Sequence, residues 1–532
     1  MHQETIAPAS LATETRVEPR ASQLYLFLAS LYALSLIVCH HTKQEEPEDR
    51  RSGKEKVLPD YDVAVIGSGF AGSAATLSFL ETTERAGRVG SVALIEAGKK
   101  GVWPGASRWT TPFLRLKHDN TLSRDRVGRV GQEDRPVPSD LDYWRRLEDE
   151  VPDTVGFMQD HGVKLVHRDE ENAALDFEGQ HYAYPVGGGK EILDNYLIRI
   201  AKYRTADVFY GREAIELTLD GEGRVNGIVV REPDGQQRAI TADTVVLACG
   251  GFEGNPEMLT RHLGQDAADL PIISPGVKYN RGSGIRMATE IGAGTAGQFD
   301  MVHAELVDAR ARKVHAVIWG QNYGIVVNES CDRFHDEGED YLFASTELIA
   351  YDTWRHQNQK SYFITDKTVM ERFEGSWVYE TTDKPPERSD TIAGLAEKLG
   401  LDPTKLEATV SEFNAACGPG DWDPVEMDGK KTSGITPPKS NWANPIVEAP
   451  FSGFPMTAHL KFTFGGLKVD ADGRVLDTNE APIPGLYAAG EITGHFYHKH
   501  PPATSVLRSN TFGRIVGAKI AESLPETAAA PG

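Results

Sequence analysis

The feature that most constrains this chain is a glycine-rich turn set between a strand and a helix. Tyr61–Gly67 reads YDVAVIG, a short apolar run rich in β-branched residues, and AGSAATLSFLETTERAG follows with helical spacing and few strand formers. Gly67, Gly69 and Gly72 form GxGxxG at the junction. Glycine there permits a tight turn and lets a pyrophosphate approach the backbone N–H groups at the helix N-terminus. A second apolar run, SVALIEAG, ends on Glu96 and completes a βαβ unit of the length such a crossover needs. A carboxylate at that strand end is placed to accept hydrogen bonds from ribose hydroxyls. Together these features predict a Rossmann-like dinucleotide-binding domain; a plain glycine turn is the alternative.

The other end of the chain selects the dinucleotide. Gly485–Glu491, GLYAAGE, puts Glu491 after a strand end of small residues, where it would bond the ribitol hydroxyls of a flavin lying extended across the domain. Val245–Gly251, VVLACGG, supplies a further glycine-bearing strand between the two. Three converging segments predict FAD. An Asp234-Gly235 turn between alternating runs predicts an antiparallel meander leading into a buried strand at Thr244–Ala248. Residues 391–417 read as two helices, with Pro403 opening the second and Leu406, Val410 and Phe413 on one face, and Thr511–Leu524 reads as a final helix.

Composition matters mainly for what it excludes. The formal net charge of -22, without basic runs in the globular part, lacks the electrostatic footprint of a nucleic-acid binder. Cys39, Cys249, Cys331 and Cys417 show no ligand or disulfide spacing, so no metal site is expected. Residues 1–57 form an extension: Gln23–Cys39 is apolar but slightly short of the roughly 20 residues that span a bilayer as a helix, and a charged linker follows it. A membrane anchor, a signal-peptide core and an appended helix or mis-called start all remain open. As an anchor, its Lys and Arg distribution places the catalytic part on the cytoplasmic side; otherwise the protein is cytoplasmic.

From Tyr61 to Ala521 the chain resembles the fumarate reductase and succinate dehydrogenase flavoprotein superfamily, in its tricarballylate dehydrogenase-like branch. The resemblance rests on VIGSGFAG, GASRWT (Gly105–Thr110), PVGGGKEI (Pro185–Ile192), VVLACGGFEGNPEML (Val245–Leu259), RFHDEGEDY (Arg333–Tyr341), FTFGGLKVD (Phe462–Asp470) and PGLYAAGEITG with FYHKHP. It implies an α/β fold with an α+β cap: an FAD-binding domain built from residues 58–297 and 462–532, and a capping domain inserted at 298–461. Expected FAD contacts are Gly67, Gly69, Ala71 and Gly72 in the first turn, with Glu96 and Ala97 after the second strand. Ser107, Arg108, Ala214, Gly250 and Gly251 follow, then Gly490, Glu491, Ser505 and Val506. No histidine follows GASRWT closely, although His118 lies farther along, so non-covalent FAD is expected.

Moving a hydride between flavin and a CH-CH bond beside a carbonyl or carboxylate also needs a proton acceptor and groups that hold the activating oxygen. The resemblance points to His303 at the entry to the cap, to Tyr497, His498 and His500 in FYHKHP, and to Tyr341. Lys499 shares the FYHKHP cluster, which is the leading catalytic candidate; a solvated loop is the alternative. Arg333 and Glu337 read more readily as an ion pair. Departures from the pattern are equally informative. Tyr341 stands where fumarate reductases carry a proton-donating arginine, Phe462 replaces a histidine, and HFYHKHPPATS has no counterpart of the substrate-clamping arginine. Pro502 and Ala503 replace a glycine pair. These changes argue against fumarate itself as substrate. The expected activity is an FAD-dependent dehydrogenase or desaturase acting on a small polar substrate. An ene-type reductase, and a non-catalytic flavin-binding membrane-tethered partner, are the alternatives. The electron donor or acceptor stays open.

Overall fold

The computed structural model describes residues 60–122, 138–167, 182–374 and 381–525; the apolar stretch 23–39, the linker and the C-terminal tail lie outside them. Residues 59–532 form one compact unit. Its first layer begins with strand β1 (Tyr61–Ile66), which enters helix α1 (Phe70–Arg85) through the glycine turn, and continues with β2 (Val92–Glu96), β3 (Ala206–Tyr210) and β4 (Gln237–Leu247). β1 pairs in parallel with both β2 and β4, and β2 with β3, so Val63–Ile66 is buried on both faces and reads as a continuous apolar run. The turn is as tight as its glycines require. Gly67 has φ +101°, and a Cβ on Gly72 would lie 1.9 Å from the Gly67 carbonyl oxygen.

The second layer is antiparallel. It contains β5 (Val302–Asp308), β6 (Ile325–Val327), helix α2 (Leu342–His356), β7 (Ser361–Thr365) and β8 (Phe451–Thr463), with sheet order β5-β8-β7-β6 and Glu387–Ser389 also paired to β8. The helix pair forms at Ile392–Leu399 and Pro403–Ala416. Asp402 caps the second through Lys405 N (3.1 Å), and Leu406, Val410 and Phe413 are buried.

The chain then returns to the first layer. β9 (Pro482–Ala488) adds in parallel beside β4, and helix α3 (Ser505–Ser523) lies along α1. Close approach depends on small residues: a Cβ on Gly513 or Gly517 would lie 2.4 Å from Ala71 O or 2.2 Å from Ala75 O. The helix begins six residues earlier than its apolar pattern predicts: its first turns bury Arg508 and Asn510 alongside Val506 and Leu507, a mixed set that blurs the apolar spacing. None of the described helices is long and apolar enough to cross a membrane.

Candidate active site

A cleft of about 1240 Å³ runs from the glycine turn, past the carboxyl ends of the parallel strands, to the antiparallel layer. At one end Glu96 accepts from Ser68 N (3.1 Å), Ser68 Oγ (2.6 Å) and Gly98 N (2.9 Å), which fixes its carboxylate in the wall. Ser107 Oγ accepts from Phe70 N (3.2 Å) at the start of α1. In the middle, Gly250 has φ +75°, and a Cβ there would meet the Asn280 amide at 2.5 Å; that amide donates to Glu491 Oε2 (3.2 Å). All the expected FAD contacts line this cleft except Gly72, Arg108 and Gly251. Gly72 lies under the turn, Arg108 pairs with Asp194 (2.6 Å) over the Trp103 ring, and Gly251 abuts Thr463 and Glu491. His118 packs against His167 instead of lining the cleft.

The lining fits an extended FAD. Helix amides and a glycine turn face the pyrophosphate position, and carboxylates stand at both hydroxyl-bearing ends. Glu491 has a buried neighbour that the sequence reading missed. Thr463 N donates to Glu253 Oε1 (2.9 Å) and to Glu491 Oε1 (3.3 Å), bringing the two carboxyls together. Burial, then the Glu491 charge, pushes Glu253 well above the usual carboxyl range; burial also raises Glu491.

Toward the antiparallel layer the cleft wall is completed by His315, Lys461 and Phe462, and beyond Thr110, Ser505 and Val506 it meets a second cavity of about 580 Å³. His303, Glu305, Glu347 and His500 line that cavity and are all buried. His303 and Glu305 occupy one face of β5, two residues apart. His303 Nδ1 lies 2.5 Å from Glu347 Oε2 on α2, and its Nε2 lies 3.4 Å from Glu305 Oε1. Lys461 reaches the same Glu305 oxygen at 2.5 Å. It does so from a β-bulge: β5 pairs His303 with Phe462 and Ala304 with Leu460, leaving Lys461 as the extra residue. His500 Nε2 lies 2.7 Å from Ser505 Oγ, and Glu347 Oε1 accepts from His500 N at 3.2 Å.

The two histidines are tuned in opposite directions. Burial alone would depress the His303 pKa, but the Glu347 and Glu305 carboxylates outweigh it and raise the value above the ordinary one. Burial, reinforced by the positive charge of His303 and Lys461, drives His500 well below its ordinary value, so its imidazole is neutral. His315 is pushed down to about 4, by burial and then Lys461. Glu305 is held ionised by Lys461 and His303 against the effect of burial.

The structure brings together His303 and His500 among the expected catalytic residues and places the other three outside both cavities. The Tyr497 hydroxyl accepts from Gly297 N (3.0 Å); His498 is exposed with φ +52°; Tyr341 is buried near Trp442 at the start of α2. Arg333 and Glu337 are a buried ion pair at 2.6 Å. Glu305, Glu347, Lys461, His315 and Arg508 were missed. Only Glu305 left a sequence signal, as a polar residue two positions from His303 in a strand.

Residues 62–505 match the family described as FAD binding domain. A vinyl phenol reductase of Lactiplantibacillus plantarum is 28% identical over 510 residues, covering 87% of this chain and 96% of that protein. A urocanate reductase of Eggerthella lenta is 26% identical over 497 residues, covering 88% of this chain and 75% of that protein. The solved open conformation of a flavocytochrome c3 fumarate reductase shares the fold, with a TM-score of 0.63 at 21% identity over 87% of this chain and 78% of that chain.

Proposed function

The chain belongs to the FAD binding domain family, within the fumarate reductase and succinate dehydrogenase flavoprotein superfamily, and from that premise we propose an FAD-dependent oxidoreductase acting on a CH-CH bond, or the corresponding C=C bond, beside a carboxylate or carbonyl of a small substrate. One observation carries the reading: the flavin cleft meets a second cavity walled by a connected set of buried proton-carrying groups.

Bound FAD supplies the hydride acceptor or donor. The chain's own residues manage the proton and exclude water. In oxidation, neutral His500 accepts the proton leaving carbon, and the Ser505 hydroxyl at 2.7 Å orients its ring. Lys461 and His303 balance the charge of Glu305 and Glu347 across the cavity wall. A second reading, reduction of the C=C bond as the working direction, is favoured by the raised pKa of His303, which keeps a proton available for carbon. The names of both sequence relatives support it. Anaerobic holoenzyme should be bleached by a saturated substrate, or re-oxidised after chemical reduction by its unsaturated partner. A yellow protein unresponsive to every carbonyl- or carboxylate-activated pair would overturn the proposal. Residues 23–39 serve as the membrane tether in this reading; membrane fractionation of the full chain against one lacking residues 1–57 tests it, and equal partitioning refutes it.

A further inference from the structure

Three cations line the flavin cleft: Arg212, Lys461 and Arg508. The first two are neutralised by carboxylates of the chain. Arg212 pairs with Glu232 at 2.6 Å beside the Glu96 end of the cleft, and Lys461 pairs with Glu305 at 2.5 Å toward the antiparallel layer. Arg508 differs. Among the described residues no carboxylate comes within ion-pair range of it, and its one hydrogen-bond acceptor is the Thr493 carbonyl, at a long 3.3 Å from Nη1.

The Arg508 side chain is nevertheless buried, at 2% exposure. Its guanidinium carbon lies 4.2 Å from the centre of the Phe496 ring, a contact that offsets part of the burial without accepting an in-plane hydrogen bond. Burial pulls its pKa below the ordinary value, against Tyr143 and Glu491, yet a guanidinium keeps its proton in a protein. A buried cation with five N–H donors and one long bond leaves a need for negative charge or acceptors in the wall it faces.

The position of Arg508 says what could meet that need. It lies one turn into α3, three residues beyond Ser505, and lines the flavin cleft but not the second cavity. Thr493, which it contacts, follows Glu491 by two residues, and Phe496 packs on Phe462, which closes the cleft toward the antiparallel layer. Arg508 therefore stands beyond the ribitol carboxylate Glu491, along the part of the cleft left for the flavin ring. Oxidised flavin is neutral there. A hydride, which is two electrons and one proton, leaves one negative charge on the ring unless a second proton follows, and a fixed cation favours the charged form.

Resting on the flavin cleft of the reading above, we propose that Arg508 is a redox-tuning residue: its guanidinium faces the flavin ring, supplies the countercharge of the reduced cofactor and keeps that ring anionic. When a CH-CH bond gives its hydride to the flavin and its proton to His500, the charge brought by the hydride meets a cation already in place. No further proton has to reach the ring. In the reductive direction the same hydride leaves, the ring returns to neutral, and Arg508 is again without a counter-ion.

The test compares the holoenzyme with Arg508→Lys and Arg508→Met, in the absence of substrate. Sulfite adds to oxidised flavin and, like a hydride, leaves a negative charge on the ring, so its dissociation constant, read from flavin bleaching, reports the countercharge. Arg508→Met should weaken sulfite binding by about tenfold or more, and its FAD midpoint potential, read against reference dyes, should fall by about 30 mV for each tenfold. Arg508→Lys, which keeps the charge, should stay closer to wild type. Reduced wild-type holoenzyme should show the spectrum of anionic reduced flavin in mildly acidic buffer as at neutral pH. The inference is overturned if yellow Arg508→Met keeps both the sulfite affinity and the potential, or if it keeps them while losing affinity for a carboxylate such as succinate, which would assign the guanidinium to substrate. A neutral reduced flavin in the wild type at neutral pH overturns it too, and that measurement decides even if Arg508→Met fails to fold. A holoenzyme that meets these expectations but turns over no CH-CH or C=C pair would leave the inference standing and refute the oxidoreductase reading instead.

Discussion

Replacing Glu347 by Gln tests whether the cavity network sets the charge of His303. The substitution keeps the shape and an acceptor oxygen but removes a negative charge whose oxygen lies 2.5 Å from His303 Nδ1. A hydrogen bond to a charged group contributes about 1.5–3 kcal/mol, and one pKa unit corresponds to about 1.4 kcal/mol, so His303 should lose roughly one to two units. His303 has a raised pKa in the folded protein, so its imidazolium is complete below the ordinary histidine value and disappears as pH rises through the raised one. The alkaline limb of flavin re-oxidation by an unsaturated substrate, followed by stopped flow, should therefore move toward acid by that amount. The same linkage makes the variant's stability deficit largest in mild acid and smaller at alkaline pH. A folded, yellow variant whose alkaline limb coincides with that of the wild type would show that His303 is not the proton donor or that Glu347 does not tune it.

Gly72→Ala puts a Cβ 1.9 Å from the Gly67 carbonyl oxygen, where only backbone can give way; a loss of about 3 kcal/mol and a colourless purified protein are expected, read by thermal melting and flavin absorbance. Glu253→Gln removes a carboxyl whose folded pKa lies well above its ordinary value and whose stability contribution therefore falls as pH rises from the usual carboxyl range. The variant should melt progressively higher relative to wild type as the buffer becomes more alkaline, and a constant difference would contradict the raised pKa of Glu253. His498→Ala alters an exposed side chain outside both cavities, so kcat/KM should stay within about threefold; a loss of orders of magnitude would bring His498 into the site during turnover.

The parts of this protein legible in its sequence are those where backbone geometry dictates residue type. Gly67 and Gly72 mark a turn whose backbone leaves no room for a Cβ, and Glu96 ends the next buried strand at the cleft. Glu491 follows the small residues Ala488, Ala489 and Gly490 at a strand end. The catalytic surroundings depend on packing between distant segments. Glu347 reaches His303 only because α2 crosses β5, and nothing within residues 342–356 marks one glutamate on a mostly apolar helix face. Lys461 reaches Glu305 only because β8 carries a bulge; in regular pairing its side chain would alternate to the other side. FYHKHP misled for a related reason. In a sequence its four polar residues look equivalent, yet the turn at His498, with φ +52°, sends that side chain outward while His500 enters the cavity.

Phe462 links the cofactor cleft to the tuning of the two histidines. It stands where the family resemblance places a histidine, and its ring stacks on His303 at 4.6 Å and meets His500 edge-on at 5.0 Å. A phenyl ring can neither carry a proton nor hold a carboxylate, so this position no longer contributes a polar contact to substrate. It does exclude water from both imidazoles, and burial is the leading cause of the depressed His500 pKa. His303 escapes the same depression because two carboxylates face it, whereas the Ser505 hydroxyl lies against the His500 ring and the positive charges of His303, Lys461, Arg508 and Arg115 lower its pKa further. Phe462 thus also helps to drive the pKa values of the two histidines apart, within a cavity that is aromatic on one side.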